Sequence, residues 1–186
     1  MKQLLCIFSI IFILVSCKSS NQVEEIEMLT YYSNAKDFEI YSTTSNNGFT
    51  QTLSKSRTSK QYVDNYQSRI RKSLIDSILK VCKKANDQSF KFKASKKMWY
   101  CGYWHTVQIT YENGKKIRFK YPFANNENKQ FIPFQSLFHQ IIKDSLRAAR
   151  LNIGQIGGLY IKQEELSKIT FKEDSIWARE YRERHK

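Results

Sequence analysis

The chain has 186 residues, 41% of them hydrophobic and 14% aromatic, with 31 Lys and Arg against 17 Asp and Glu for a formal charge of +14. That is long enough for one domain with a real core, or a small domain plus a tether. No apolar run reaches the about 20 residues that cross a bilayer, which excludes a spanning helix.

The N-terminus reads first as an export signal. Met1-Lys2-Gln3 is a short positive region, and Leu4 to Val15 is an apolar run broken only by Ser9. The run has the length of a secretory core. It ends in Leu14-Val15-Ser16-Cys17, which resembles the bacterial lipoprotein box: an aliphatic residue, two tolerant positions with the second small, then cysteine. The resemblance covers only the first tenth of the chain. It implies a type II signal peptide at 1–16, cleavage before Cys17, a diacylglycerol thioether on Cys17 and acylation of the new amine. Two or three acyl chains make membrane attachment stable where one is marginal. It also implies an extracytoplasmic, lipid-anchored protein of the cell envelope. In a diderm source Lys18, not being Asp, permits transport to the outer membrane.

Export bears on the charge and on the cysteines. Scattered Lys and Arg read as a solvated surface, or as attraction to anionic lipid headgroups, acidic glycans or an acidic partner. Export argues against nucleic acid as a partner. With Cys6 removed and Cys17 lipidated, Cys82 and Cys101 remain in an oxidising compartment. That even remainder invites a disulfide, with two buried thiols as the alternative.

Residues 17–30 are polar at first and read as the lipidated N-terminus and a flexible tether, leaving 31–186 as one domain. Phe38 and Ile40 alternate with Glu39 and Tyr41, Asn46-Asn47-Gly48 is a turn, and Phe49 to Leu53 reads as a returning strand. Ile70, Leu74, Ile78, Val81, Cys82 and Ala85 recur at helical spacing. Asp64 with Gln67 offers a capping box for that helix, and Asn86 a left-handed stop.

Phe90, Phe92 and Ala94 alternate with lysines as a half-buried strand, and the densest aromatic cluster follows at Met98 to Trp104. Val107, Ile109 and Tyr111, then Ile117, Phe119 and Tyr121, are two alternating strands around Glu112-Asn113-Gly114. A two-residue Asn-Gly loop would send the two apolar rows to opposite faces. A three-residue loop pairs Ile109 with Ile117 and Val107 with Phe119, and sets Gly114 at the left-handed position. The three-residue loop is therefore expected.

Phe134, Leu137, Phe138, Ile141, Ile142, Leu146 and Ala149 predict a second amphipathic helix. It starts near Pro133 and is stopped by Asn152 and Gly154. Gly157-Gly158 reads as a turn before a short apolar piece, Leu159 to Ile161. Thr170 with Glu173 is a capping box for a terminal helix carrying Ile176, Trp177 and Tyr181. The expected fold is α+β: an antiparallel sheet with two amphipathic helices on one face and a short C-terminal helix. A hairpin followed by a helix occurs twice, at an offset of 67 that sets Ile70, Leu74, Ile75 and Leu79 on Leu137, Ile141, Ile142 and Leu146. That admits a duplicated unit, although any two amphipathic helices align.

Motifs that carry chemistry are sparse. An unbroken strand would put Trp99, Cys101, Tyr103, His105, Val107 and Ile109 on one face, with Cys101 and Cys82 both pointing into the helix–sheet layer. Cys101 and His105 would then lie roughly 13 Å apart along the strand, too far for a nucleophile and its base. Histidines at 105, 139 and 185 lack paired ligand spacing, so no metal or other cofactor is expected. Tyr100 and Trp104, on the opposite face, are the surface-binding candidates. The expected role is a non-catalytic protein-interaction module. The alternatives are a basic binder of anionic lipid or glycan, or an immunity lipoprotein that inhibits a toxin or hydrolase.

Overall fold

The computed structural model describes residues 22–32, 39–55, 62–86, 89–90, 102–123, 129–144 and 149–171. The elements in chain order are β1 (Val23–Tyr32), β2 (Ile40–Ser45), β3 (Phe49–Lys55), β4 (Tyr62–Arg69), α1 (Lys72–Lys83), β5 (Tyr103–Tyr111), β6 (Lys116–Pro122), a single 3₁₀ turn at Lys129–Phe131, α2 (Ile132–Asp144), β7 (Ala149–Arg150) and α3 (Ile153–Ser167). The strands form one antiparallel sheet in the order β6-β5-β1-β2-β3-β4-β7, so the fold is α+β.

Both hairpins stand where alternation and turn residues put them. Ile109 pairs with Ile117 and Val107 with Phe119. Tyr111 N donates to Lys115 O, Gly114 N donates to Tyr111 O, and Gly114 sits at φ +80°. The loop is the three-residue one, because only that register buries both apolar rows on one face.

The expected tether is corrected by the first strand. Residues 23–30 belong to β1, in the middle of the sheet, with β5 on one side and β2 on the other. Its pleat sends Ile26 and Met28 to one face and Glu27 and Leu29 to the other, and all four are buried. The glutamates that make the segment look solvated are taken up by partners on the second face.

On the first face lies the main core. Ile26, Met28, Val107, Ile109, Ile117 and Phe119 meet Ile75, Ile78 and Cys82 of α1 and Phe134, Leu137, Phe138 and Ile141 of α2. The two helices cross the sheet near opposite ends. Ile75 of α1 approaches Gly48 at the β2–β3 turn, and Tyr111 Oη donates to Cys82 O at 2.8 Å, so α1 follows the end where β1 begins. Phe131 stacks on Tyr121 at 4.6 Å, Phe138 lies 4.5 Å from His105, and Gln135 Nε2 donates to Phe123 O, so α2 lies over the other end.

The expected helix caps are displaced. Asp64 and Gln67 lie in β4, whose backbone groups are spent pairing with β3 and β7, and α1 starts after Arg71 with no side-chain cap. The helix closes at Lys84 with φ −100°, not at a left-handed Asn86. Phe90 is buried in a turn beside Phe119, and the rest of the expected strand at 90–94 lies outside the described residues.

The largest correction is at Asn152. Expected to stop a helix, it starts one: its Oδ1 accepts from Gln155 N at 2.9 Å while Gln155 Oε1 accepts from Asn152 N at 3.0 Å. Gly154, Gly157 and Gly158 lie inside α3. Gly157 and Gly158, in its interior, each cost about 1 kcal/mol relative to alanine. Leu159 and Leu166 offset that cost by packing on Leu29, Tyr41 and Leu53, which puts α3 on the second face of the sheet. Ala149, expected at the end of the second helix, pairs instead in β7. The sheet is thus covered on both sides, whereas one helical face was expected. The terminal helix expected after Thr170 lies outside the described residues, and β4 stands between the first hairpin and its helix, with no counterpart strand among the described residues between β6 and α2.

Candidate functional site

The second sheet face carries a polar row that the sequence reading missed. Glu27, Gln108 and Arg118 are direct cross-strand neighbours on β1, β5 and β6. Arg118 Nε donates to Gln108 Oε1 at 2.6 Å, and Gln108 Nε2 donates to Glu27 Oε2. From the other side Tyr41 Oη donates to Glu27 Oε1 at 2.8 Å. Tyr41, Glu27 and Gln108 are buried, and Arg118 is exposed at the edge strand. Burial, then the Glu27 charge, pushes the Tyr41 hydroxyl far above its ordinary value, so it stays a donor. Each oxygen of the Glu27 carboxylate is thus met by a donor. That arrangement fixes strand positions. The signal that could have found it is the alternation of Ile26 and Met28 with Glu27 and Leu29.

Further along this face, Trp104 is a direct neighbour of Tyr31 on β1 and of Pro122 on β6. Lys120 Nζ lies 5.1 Å from the centroids of both the Tyr31 and the Trp104 ring. Ring faces attract a cation at that range by about 0.5–1 kcal/mol where water has access. Trp104 is half-buried and on the face opposite His105, as its position in the strand predicts. Tyr100 lies outside the described residues.

The first face holds His105, the base candidate, and Cys82, and packs both away. His105 is fully buried among Tyr121, Phe123 and Phe138, with Nδ1 2.9 Å from Thr30 Oγ1. Burial, and secondarily the charge of His139, holds its pKa down to about 3, so it is neutral at ordinary pH. Its Nε2 and the Tyr121 hydroxyl have no hydrogen-bond partner among the described residues. Cys82 is a buried free thiol whose pKa burial pushes up to about 12. A thiol so protonated in so apolar a layer is inert. Its expected partner Cys101, and the acylation candidate Cys17, lie outside the described residues. Among the described residues no group of three or more His, Cys, Asp or Glu side chains could hold a metal ion.

Of the three described helices, α3 carries the most exposed large apolar side chains. Leu159, Gln163 and Leu166 point to the sheet, and Ile153, Gly157, Tyr160 and Ile161 form a second stripe on its outer side. Ile153 is 89% exposed and Ile161 63%. The glycine between them would meet nothing within 4 Å if it carried a Cβ, so the stripe has a shallow dent at its centre.

No protein-family model matches the chain, and no curated protein matches it either.

Proposed function

We propose that this chain is a lipid-anchored lipoprotein of the cell envelope, acylated at Cys17, whose α+β domain serves as a non-catalytic protein-interaction module. The observation that carries the protein-binding part is the outer stripe of α3. The helix already satisfies the sheet through Leu159 and Leu166, so Ile153 and Ile161 are not needed for its own packing. Apolar side chains held this far into water on a rigid helix suit an apolar surface on another protein. The anchoring part is supported by the Leu14-Val15-Ser16-Cys17 box. No helix among the described residues is long and apolar enough to cross a membrane. Contact rather than chemistry is supported by where the reactive groups are: His105 and Cys82 serve the core, and Glu27 serves the sheet.

The test is affinity capture of the full acylated protein from gently solubilised membranes, beside an Ile153→Asp/Ile161→Asp variant. A partner that survives a high-salt wash on the wild type and falls at least tenfold on an equally heat-stable variant supports the reading. Equal recovery on both proteins, or no retained partner, would sink it. Cys17→Ser should abolish fatty-acid labelling, and persistent labelling would remove the anchor from the proposal.

A further inference from the structure

One end of the domain is both the place where the chain leaves the expected anchor and a place where, among the described residues, exposed cations cluster. Gln22 O accepts from Glu112 N, so the start of the described chain is tied to the β5–β6 turn. Cys17 lies five residues before Gln22, a span of at most roughly 18 Å when fully extended. If Cys17 sits at a lipid surface, this end of the sheet is held within that distance of the headgroups.

The same end carries α1, which runs from Gly48 at the β2–β3 turn to Tyr111 on β5. Arg69 and Arg71 are exposed just before α1, and Lys80 and Lys83 are exposed along its second half. Lys115 and Lys116 are exposed at the neighbouring β5–β6 turn. Against these six stand the exposed Glu24 and Glu112, while Asp76 is engaged by Lys72 at 3.2 Å. α2, over the opposite end, exposes Ile132, His139, Ile142 and Lys143 and so offers one lysine. Even with the exposed Lys129 just before α2 counted, the positive charge among the described residues leans toward the anchored end.

We infer that the α1 and β5–β6 turn end of the domain is a membrane-facing platform, which docks on anionic phospholipid headgroups through Arg69, Arg71, Lys80, Lys83, Lys115 and Lys116. This rests on the acylation of Cys17 proposed above. The short connection supplies the high local concentration, and the cations supply the orientation. Attraction of this kind fades within a Debye length, about 8 Å at physiological salt, and the connection lets the platform come that close without holding it there. Docked this way, the domain stands with its strands rising from the membrane and with α3 presented at the side.

The test uses the full acylated protein reconstituted in vesicles of phosphatidylcholine alone or with one third phosphatidylglycerol. Surface lysines are modified with a water-soluble acylating reagent and read by mass spectrometry, and the intact mass reports acylation of Cys17. The expected result is at least threefold slower modification of Lys80, Lys83, Lys115 and Lys116 on the anionic vesicles. Lys129 and Lys143 should be unchanged, and high salt should remove the protection. A Lys80→Glu/Lys83→Glu/Lys115→Glu/Lys116→Glu variant should lose the anionic-lipid dependence at Lys84. Acylated protein with equal modification on both vesicles overturns the platform and leaves the anchor standing. Intact mass without acyl chains overturns the anchor and the platform together.

Discussion

Tyr41 on β2 donates its hydroxyl hydrogen bond to Glu27 Oε1 on β1 at 2.8 Å, and both side chains are buried on the sheet face that α3 covers. The pair explains how an acidic segment becomes a central strand. A buried carboxylate is tolerated because Tyr41 and Gln108 each supply a donor. Tyr41→Phe keeps the ring packing and removes one of the two. The expected loss is about 1.5–3 kcal/mol, the usual range for a hydrogen bond to a charged group. Urea unfolding with an unchanged slope measures it, and a variant as stable as the wild type would show that the bond contributes nothing.

His105 should make the fold acid-sensitive. Its folded pKa is held down to about 3, whereas an unfolded histidine titrates near about 6.5. Between those values the unfolded chain binds a proton that the native chain refuses, so stability falls as pH falls through that window. The share from His105 at pH 4.5 is about 2–3 kcal/mol, at roughly 1.4 kcal/mol per unit. His105→Phe, in the same aromatic nest, should lose less stability between pH 7 and pH 4.5 by about that amount. Parallel stability-against-pH curves for the two proteins would refute the assignment.

Gly48 and Gly114 share a left-handed backbone, at φ +83° and +80°, and differ in what surrounds them. A Cβ at Gly114 would meet nothing within 4 Å, so Gly114→Ala costs only the backbone term of about 1–2 kcal/mol. A Cβ at Gly48 would sit 2.9 Å from Ile70 O and 3.2 Å from Ile75 Cγ1. Ile70 N also donates to Gly48 O at 2.8 Å, so the two backbones cannot simply part. Gly48→Ala should therefore cost clearly more than Gly114→Ala in thermal unfolding. Equal costs would mean that the approach of α1 to the first hairpin is looser than its geometry indicates.

The Cys82 thiol, fully buried and with its pKa pushed up to about 12, should resist iodoacetamide in the native protein and react once urea unfolds the chain. Intact mass gained under native conditions would contradict the burial. A mass two units lower before reduction than after would show instead that Cys82 is bonded to Cys101.

Local features were legible wherever one period ran undisturbed. The β5–β6 hairpin was readable to the residue because only one loop length puts Val107, Ile109, Ile117 and Phe119 on one side. α1 and the core face of α2 followed from helical spacing for the same reason, although Ile142, expected in the stripe, is exposed. Misreadings cluster where one residue type serves two roles. Asparagine with a glycine two residues on can stop a helix, but Asn152 with Gln155 three residues on also caps one, and the second role won because Leu159 and Leu166 had a sheet face to cover. Of the site candidates, Trp104 was placed on the correct face by pleat alone. Alternation around Glu27 could have marked it as a strand residue, but its partners could not be read locally, because Glu27 and Gln108 are separated by 81 positions in the chain.

The sequence by itself determined the local periods: two hairpins, two amphipathic helices, an N-terminal segment with the pattern of a lipid anchor, and a strong excess of positive charge. These depend on neighbours within a turn or a strand, which is the range over which spacing carries information. Only the tertiary structure decided that residues 23–30 lie at the centre of the sheet, because a strand flanked on both sides needs partners from β2 and β5 that no local pattern names. It also decided that α3 closes the second face and that the cations of α1 and the β5–β6 turn share one end. Those outcomes are set by which buried surfaces remain uncovered once the hairpins have paired.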